Sequence, residues 1–365
     1  MVLKKKYSLL SLVLFLSTVL ITTGLIFIYS SSSVYALERC GGAAYYVKRQ
    51  LFGIALGLIG MSIGIVLPLS FIKKMSPLFF LGSLGLTLTT FFCGITIHGA
   101  HRWLSIGGIA FQPSELLKIS FLLYSSYFLA KRGTAVTHFW RSFIPYIAII
   151  VLTSIVLLIQ PDFGQAVVIG TTGLLVFFIA GCNPLHLGYI AGALLPVITA
   201  LIAYKPYRLK RVITFLDPWS DPRGSGFQII QSFIAIGSGS WYGLGIGNSK
   251  QKFFYLPMQH TDFIFSIIAE ETGFLGSVFL VSIYMLLLLS GIKLALQLID
   301  PFSYFLTLNF FFMISLQALI NLCVAVGLVP TKGIGLPFVS YGMSSLFCCL
   351  CLLGVIINAL LTQEK

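Results

Sequence analysis

The chain has 365 residues, of which 58% are hydrophobic and only 9% charged, with a formal net charge of +13 and a mean hydropathy of +0.99. A soluble domain carries about a quarter charged residues. The composition therefore excludes an ordinary soluble domain and points to a polytopic membrane protein, for which no nucleic-acid partner is expected.

The N-terminal run MVLKKKYSLLSLVLFLSTVLITTGLIFIYS has the charge-then-apolar order of a signal peptide. Its apolar part is too long for an h-region and has no small-x-small exit, so it reads as a retained first membrane helix. A helix needs roughly 20 apolar residues to cross about 30 Å of hydrocarbon. Apolar runs and polar breaks then predict ten spans, near 9–29, 51–71, 77–97, 114–130, 143–160, 165–182, 188–204, 262–292, 302–325 and 344–361. The expected fold is an all-α polytopic membrane protein forming a single domain over 1–365. Lys4, Lys5 and Lys6 place the N-terminus in the cytoplasm by the positive-inside rule, and alternation puts Lys73, Lys74, Lys131, Arg132, Arg141, Lys293 and Lys365 on that side too. Both termini are then cytoplasmic.

One long extracytoplasmic loop, 205–261, separates the seventh and eighth spans. It carries Lys205, Arg208, Lys210, Arg211, Arg223, Lys250 and Lys252, partly offset by Asp217 and Asp221. It reads either as a solvated face or as a cationic site for a negative substrate. Its glycine-rich stretch GSGSWYGLGIGNSK lacks the spacing of a phosphate-binding P-loop. FQIIQSFIAI, 227–236, reads as a short amphipathic helix at the membrane surface. The seven cysteines lie mostly in apolar runs and read as small hydrophobes.

Eight of the ten acidic residues, Glu38, Glu115, Asp162, Asp217, Asp221, Asp262, Glu270 and Glu271, fall on or near the outer side, and four polar stretches converge there. Ionisable groups at membrane depth are costly and point to function by default. In HGAHRWLSIGGIAFQPSELLKIS, Pro113 and Ser114 start a helix that puts Glu115 and Lys118 on one face, as a structural ion pair or, with Arg102, as charge for a phosphate. In QPDFGQ, Asp162 reads as the cap of the sixth helix. In GLVPTKGIGLPFVSYGMSS, Lys332 is either a loop lysine or an anion contact. In YLPMQHTDFIFSIIAEE, Asp262 is either the N-cap of the eighth helix or a general base at the membrane surface.

HGAHRWLSIGGIAFQPSELLK, QPDFGQA, FLDPWSDPRGSGFQIIQS, AIGSGS, GNSKQKFFYLP, HTDFIF, AEETGFLG and LPFVSYG, in that order, resemble the SEDS family (shape, elongation, division and sporulation) of membrane-embedded peptidoglycan polymerases. FLDPW, GNSKQKFFYLP and PTKG are more similar to the family's division member than to its elongation member. The resemblance implies a ten-helix glycosyltransferase that polymerises lipid II at the outer face of the cytoplasmic membrane. It implies Asp262 as the catalytic residue and gives Glu115 and Lys118 a place in the active cavity. Arg102, Glu115, Lys118, Arg208, Arg211, Lys250, Lys252 and Lys332 are the candidates for binding substrate and its diphosphate. A divalent cation is a further candidate for that charge, without a visible ligand set. The implied partners are undecaprenyl-diphosphate-linked glycan, membrane lipid, a class B penicillin-binding protein and other division proteins. A lipid II flippase and a non-catalytic division scaffold are the competing readings. Two positions depart from the family pattern: Met258 stands where a glutamate is usual, and Met343 where a glycine is usual.

Overall fold

A computed structural model describes residues 2–97, 100–106, 109–186, 213–253 and 259–363, with 188–190, 192, 196, 210 and 257 between them. Helices α1 (Val2–Cys40), α2 (Tyr45–Val66) and α3 (Leu69–Cys93) are followed by strands β1 (Ile95–Ile97), β2 (Ala100–Ile106) and β3 (Ile109–Phe111). Then come α4 (Pro113–Arg132), α5 (Ile144–Ile159), α6 (Phe163–Ile179), the short α7 (Phe227–Ser238), α8 (Ile264–Ala295), α9 (Pro301–Ala325) and α10 (Met343–Thr362). Seven helices among the described residues are long and apolar enough to cross a membrane. The chain is a multi-pass membrane protein. The expected span at 188–204 falls almost wholly outside the described residues, as does most of 205–212.

The purely helical expectation needs one correction. The predicted third span ran to residue 97, but α3 ends at Cys93 and the chain enters a three-stranded antiparallel sheet, β1-β2-β3. Ile95 pairs with Trp103, and Leu104 with Phe111. Short β-branched and aromatic runs between glycines favour a meander over helix. The sheet leads directly into Pro113, which occupies the first turn of α4 as its ring favours.

Close helix packing is written in glycine. The buried residues of α2 are Gln50, Gly53, Gly57, Gly60 and Gly64, a stripe that lies on α10. A Cβ at Gly64 would stand 2.9 Å from the Cys351 carbonyl, and one at Gly354 would enter the Met61 backbone. Without side chains at the seam the two backbones approach closely, which is how membrane helices associate when apolar burial drives nothing. Polar side chains fasten both ends of the pair: Gln50 Oε1 accepts from Gly342 N (3.1 Å), and Asn358 Nδ2 donates to Gly64 O (3.0 Å). Met343 sits in no turn. It is the first residue of α10, and its Cγ lies 3.0 Å from where a Cβ on Gly53 would be, so that glycine makes the room for it.

The topology is consistent at one face. Lys73, in the first turns of α3, pairs with Asp300 at 2.5 Å, and Asp300 also caps α9 through Ser303. Lys6 meets Gln363 at the same level, so both ends of the chain and the α8–α9 turn share one side. The polar stretches singled out in the sequence gather at the other.

Helix α8 is broken near its start. Gly273 has φ 69° and ψ −164°, so Ile264–Thr272 is separated from the 274–295 segment, which by itself is long enough to span. The break is locked by the glycine-rich loop 239–247. Phe274 N donates to Ser240 O (2.8 Å), Leu244 N to Glu270 O (3.0 Å) and Gly245 N to Glu271 O (3.0 Å). A Cβ on Gly239, Gly243 or Gly273 would enter opposing backbone. This close approach explains the glycine density that has no phosphate-binding spacing.

Candidate active site

Three connecting segments meet at the end of the bundle away from Lys6 and Gln363: 160–165 between α5 and α6, 259–263 before α8, and 327–342 between α9 and α10. Apart from the first residues of α6, each is nonhelical backbone, tolerated at such a place only where protein or a wet cavity satisfies its polar groups. Side chains from the helices do so. On α9, Asn321 Nδ2 donates to both Asp262 O and Ile334 O (2.7 Å each), and Gln317 Nε2 donates to Gly335 O (3.0 Å). Ser340 accepts from Leu336 N (2.7 Å) and donates to Thr261 O (2.5 Å), while Tyr341 N donates to His260 O (3.0 Å). Gly164 lets Ile334 settle on the 160–165 turn, since a Cβ there would stand 2.7 Å from Ile334 Cγ1.

The charged groups follow from this weave. Arg102, on β2, donates from Nε to Gln160 O (2.8 Å) and from Nη2 to Pro161 O (2.7 Å), which brings its cation to the 160–165 turn. Asp162 caps α6 as expected, accepting from Gln165 N (3.3 Å). Asp262 does not cap α8: the N-cap position belongs to Phe263 and no side chain caps it. The Asp262 carboxylate instead points at the PTKG segment, with Oδ2 3.2 Å from where a Cβ on Gly333 would lie. The Lys332 ammonium lies over the Phe163 ring at 4.2 Å, beside Asp162 in sequence.

Asp262 lies in the connection ahead of α8, and its carboxyl is pushed up to about 7. Burial is the main cause, the negative charge of Asp162 adds to it, and Arg102 opposes. Asp162 is also raised by burial, against the pull of Arg102. His260 is held down to about 4 by burial and so stays neutral, packed among Tyr46, Tyr35 and Tyr341 at 4.4, 6.0 and 5.8 Å between ring centroids.

Glu115 and Lys118 form an ion pair of 2.6 Å, at 4% and 1% exposure. Glu115 Oε1 accepts from Gln165 Nε2 (2.7 Å), and Lys118 donates to Gln317 Oε1 (3.3 Å). The pair thus holds the 160–165 turn through one amide and the 327–342 segment through the other. It braces the two segments from behind, with Lys118 engaged by Glu115 and Gln317. Lys252 is likewise enclosed, 3.7 Å from Glu271 and donating to Gly247 O. Lys250 is exposed, away from the junction. Arg208, Arg211 and Met258 lie outside the described residues. Arg102 and Lys332 are the sequence-predicted cations that stand with Asp262. Among the described residues, no three His, Cys, Asp or Glu side chains gather as a metal site.

Sequence reading passed over Asn321, Gln317, Ser340 and the tyrosines around His260. The first two carried a usable signal: two amides four residues apart on one face of an otherwise apolar span.

The sequence model of the FtsW/RodA/SpoVE family, described as cell cycle proteins, matches residues 10–365. The chain belongs to this family. Among its curated members, the chain is 40% identical to a probable peptidoglycan glycosyltransferase FtsW of Geobacter sp. (strain M18), over 95% of each chain. It is 36% identical to the stage V sporulation protein E of Bacillus subtilis (strain 168), again over 95% of each. Among solved structures, it resembles a chain from work on the structural coordination of polymerization and crosslinking by a peptidoglycan synthase complex, at 31% identity, TM-score 0.79, and 97% and 98% coverage. Thermus thermophilus rod shape determining protein RodA is similar at 26% identity, TM-score 0.72, with 97% of both chains covered. The FtsW/RodA/SpoVE fold thus extends over the whole junction described above.

Proposed function

We propose that this chain is a peptidoglycan glycosyltransferase that polymerises lipid II at the outer face of the cytoplasmic membrane, in cell division, with Asp262 as general base. The observation that carries the assignment of the base is a half-buried carboxylate with no capping duty, aimed at the PTKG segment and raised to about 7. A base works best when its pKa lies near the operating pH.

In this reading the Asp262 carboxylate takes the proton of the 4-hydroxyl of an acceptor lipid II. The freed oxygen attacks the anomeric carbon of the growing strand from the face opposite the leaving group. The bond to undecaprenyl diphosphate breaks with inversion, and the electron pair leaves on the diphosphate. Arg102 and Lys332 are the cations that would stabilise that developing charge. Both lipid substrates keep their polyprenyl tails in the bilayer, which suits an enzyme made of membrane helices. A class B penicillin-binding protein is the expected partner for crosslinking, in keeping with the synthase complex among the structural relatives.

A flippase would place its polar site near the bilayer midplane. The junction here is built from interhelical connections at one end of the bundle, which favours the polymerase. The test is polymerisation of lipid II by the purified chain in nanodiscs. Asp262→Asn is expected to lower the rate by about 10²–10⁴-fold, the usual contribution of a general base, with the protein still inserted. Polymerisation at the wild-type rate would reject Asp262 as base.

A further inference from the structure

A recess opens beside α7, apart from the residues of the Asp262 junction. It is a groove of about 580 Å³ lined by Gln231 on α7 and by Lys250, Gln251 and Phe253 of the turn that follows the glycine-rich loop. Its floor is held with unusual firmness for exposed chain. Glu270 Oε1 accepts from Lys250 N (2.9 Å) and Gln251 N (3.4 Å), and its Oε2 accepts from the Ser249 hydroxyl. Glu271 Oε1 accepts from Ser249 N (3.2 Å) and from Ser30 of α1 (2.6 Å). The opposite wall is fixed as well, because Ser232 on α7 bonds to Ser266 (2.6 Å) and to Ala325 O (2.7 Å).

Two buried carboxylates are costly to maintain, and here both hold the main chain of one surface turn. Rigidly supported surface turns are where binding geometry is built. The side chains that face the groove are not used up by that support. Lys250 is exposed, Phe253 is half exposed with the Lys252 ammonium 5.7 Å from its ring centroid on one face, and Gln251 Oε1 is buried with no hydrogen-bond partner among the described residues.

We propose that this groove binds the growing glycan strand. The claim rests on the polymerase reading above and adds a second contact for its product. Two amides offer donors and acceptors to sugar hydroxyl and acetamido groups, and an aromatic face suits the apolar face of a pyranose ring. A single lysine matches a carboxylate carried by the strand. A diphosphate, by contrast, is recognised by converging cations, and in this protein those stand at the other site, with Arg102 and Lys332.

The experiment is an equilibrium binding measurement on Asp262→Asn protein in nanodiscs, so that turnover plays no part. The probe is a soluble, uncrosslinked glycan of alternating N-acetylglucosamine and N-acetylmuramic acid with its stem peptides. Saturable binding is expected, weakened about tenfold by Phe253→Ala, which corresponds to 1.4 kcal/mol, and retained by Phe253→Trp. Gln251→Leu, which keeps the main-chain hydrogen bonds to Glu270, is expected to weaken it as well. No saturable binding, or equal binding by Phe253→Ala and Gln251→Leu, would overturn the proposal. So would displacement of the glycan by inorganic diphosphate, which would make the groove a phosphate site. A polymerase reading that fails in the lipid II assay leaves this binding result unaltered, so the two failures are distinguishable.

Discussion

Two pairs of carboxylates in this protein, Glu270 with Glu271 and Asp162 with Asp262, are treated in opposite ways. Glu270 and Glu271 accept from the backbone of 249–251, from serine hydroxyls and, for Glu271, from the charge of Lys252. Asp162 makes one long capping bond and Asp262 makes no side-chain cap at all, and both are raised by burial. A carboxylate surrounded by donors ties together the segments that supply them and builds structure. One deprived of donors stays easy to protonate, as a proton acceptor in catalysis must be.

The largest expected effect tests the second pair. Asp262→Asn should remove polymerisation by about 10²–10⁴-fold with little change in thermal unfolding, read by a lipid II assay beside a melting curve. Gly273→Ala attacks the first pair's scaffold. A Cβ there meets the backbone of Trp241 at 2.7 Å, and its φ of 69° suits glycine, so a loss of about 2–4 kcal/mol in stability is expected by chemical denaturation. Glu270→Gln should cost about 1–3 kcal/mol by leaving backbone donors weakly paired, while the pH dependence of the remaining activity stays in place.

The subtlest effects are on pH. Below about 7 Asp262 takes up a proton and cannot act as base, so kcat/KM should fall about tenfold per pH unit on the acid side and level off above. Asp162→Asn preserves a capping oxygen but removes the negative charge that helps raise Asp262. The acid limb should therefore move to lower pH. A limb that stays put in Asp162→Asn, or that moves equally in Glu270→Gln, would break the distinction between the two pairs.

Much of this protein was legible in the chain. From α4 onward the described long helices match the apolar runs to within about three residues, because hydrocarbon thickness imposes a length on any crossing helix, whereas α1, α2 and α3 begin six to eight residues before the predicted starts and α1 runs eleven beyond its predicted end. The i,i+3 spacing of Glu115 and Lys118 on α4 offered an ion pair as one of two readings, and that pair is present; Pro113 marked the start of the helix. The strands at 95–111 were missed because a short apolar run next to a span has the hydropathy of more span. The 262–292 run hid the break at Gly273, since a single glycine in an apolar segment is ordinary there and only the opposing glycine loop makes its conformation obligatory. Lys252, grouped by sequence with the candidate anion contacts, turned out to serve Glu271.

The sequence by itself determined that the protein lives in a membrane, roughly where it crosses, and which polar residues are too costly there to be incidental. Those are properties of local composition and spacing. Only the tertiary structure decided what each polar residue does, because that depends on how many donors reach it from segments far away in the chain. Asp262 was a cap or a base on sequence grounds. The packing of Gly333, Asn321 and the 160–165 turn around it removes the cap and leaves a carboxylate short of donors.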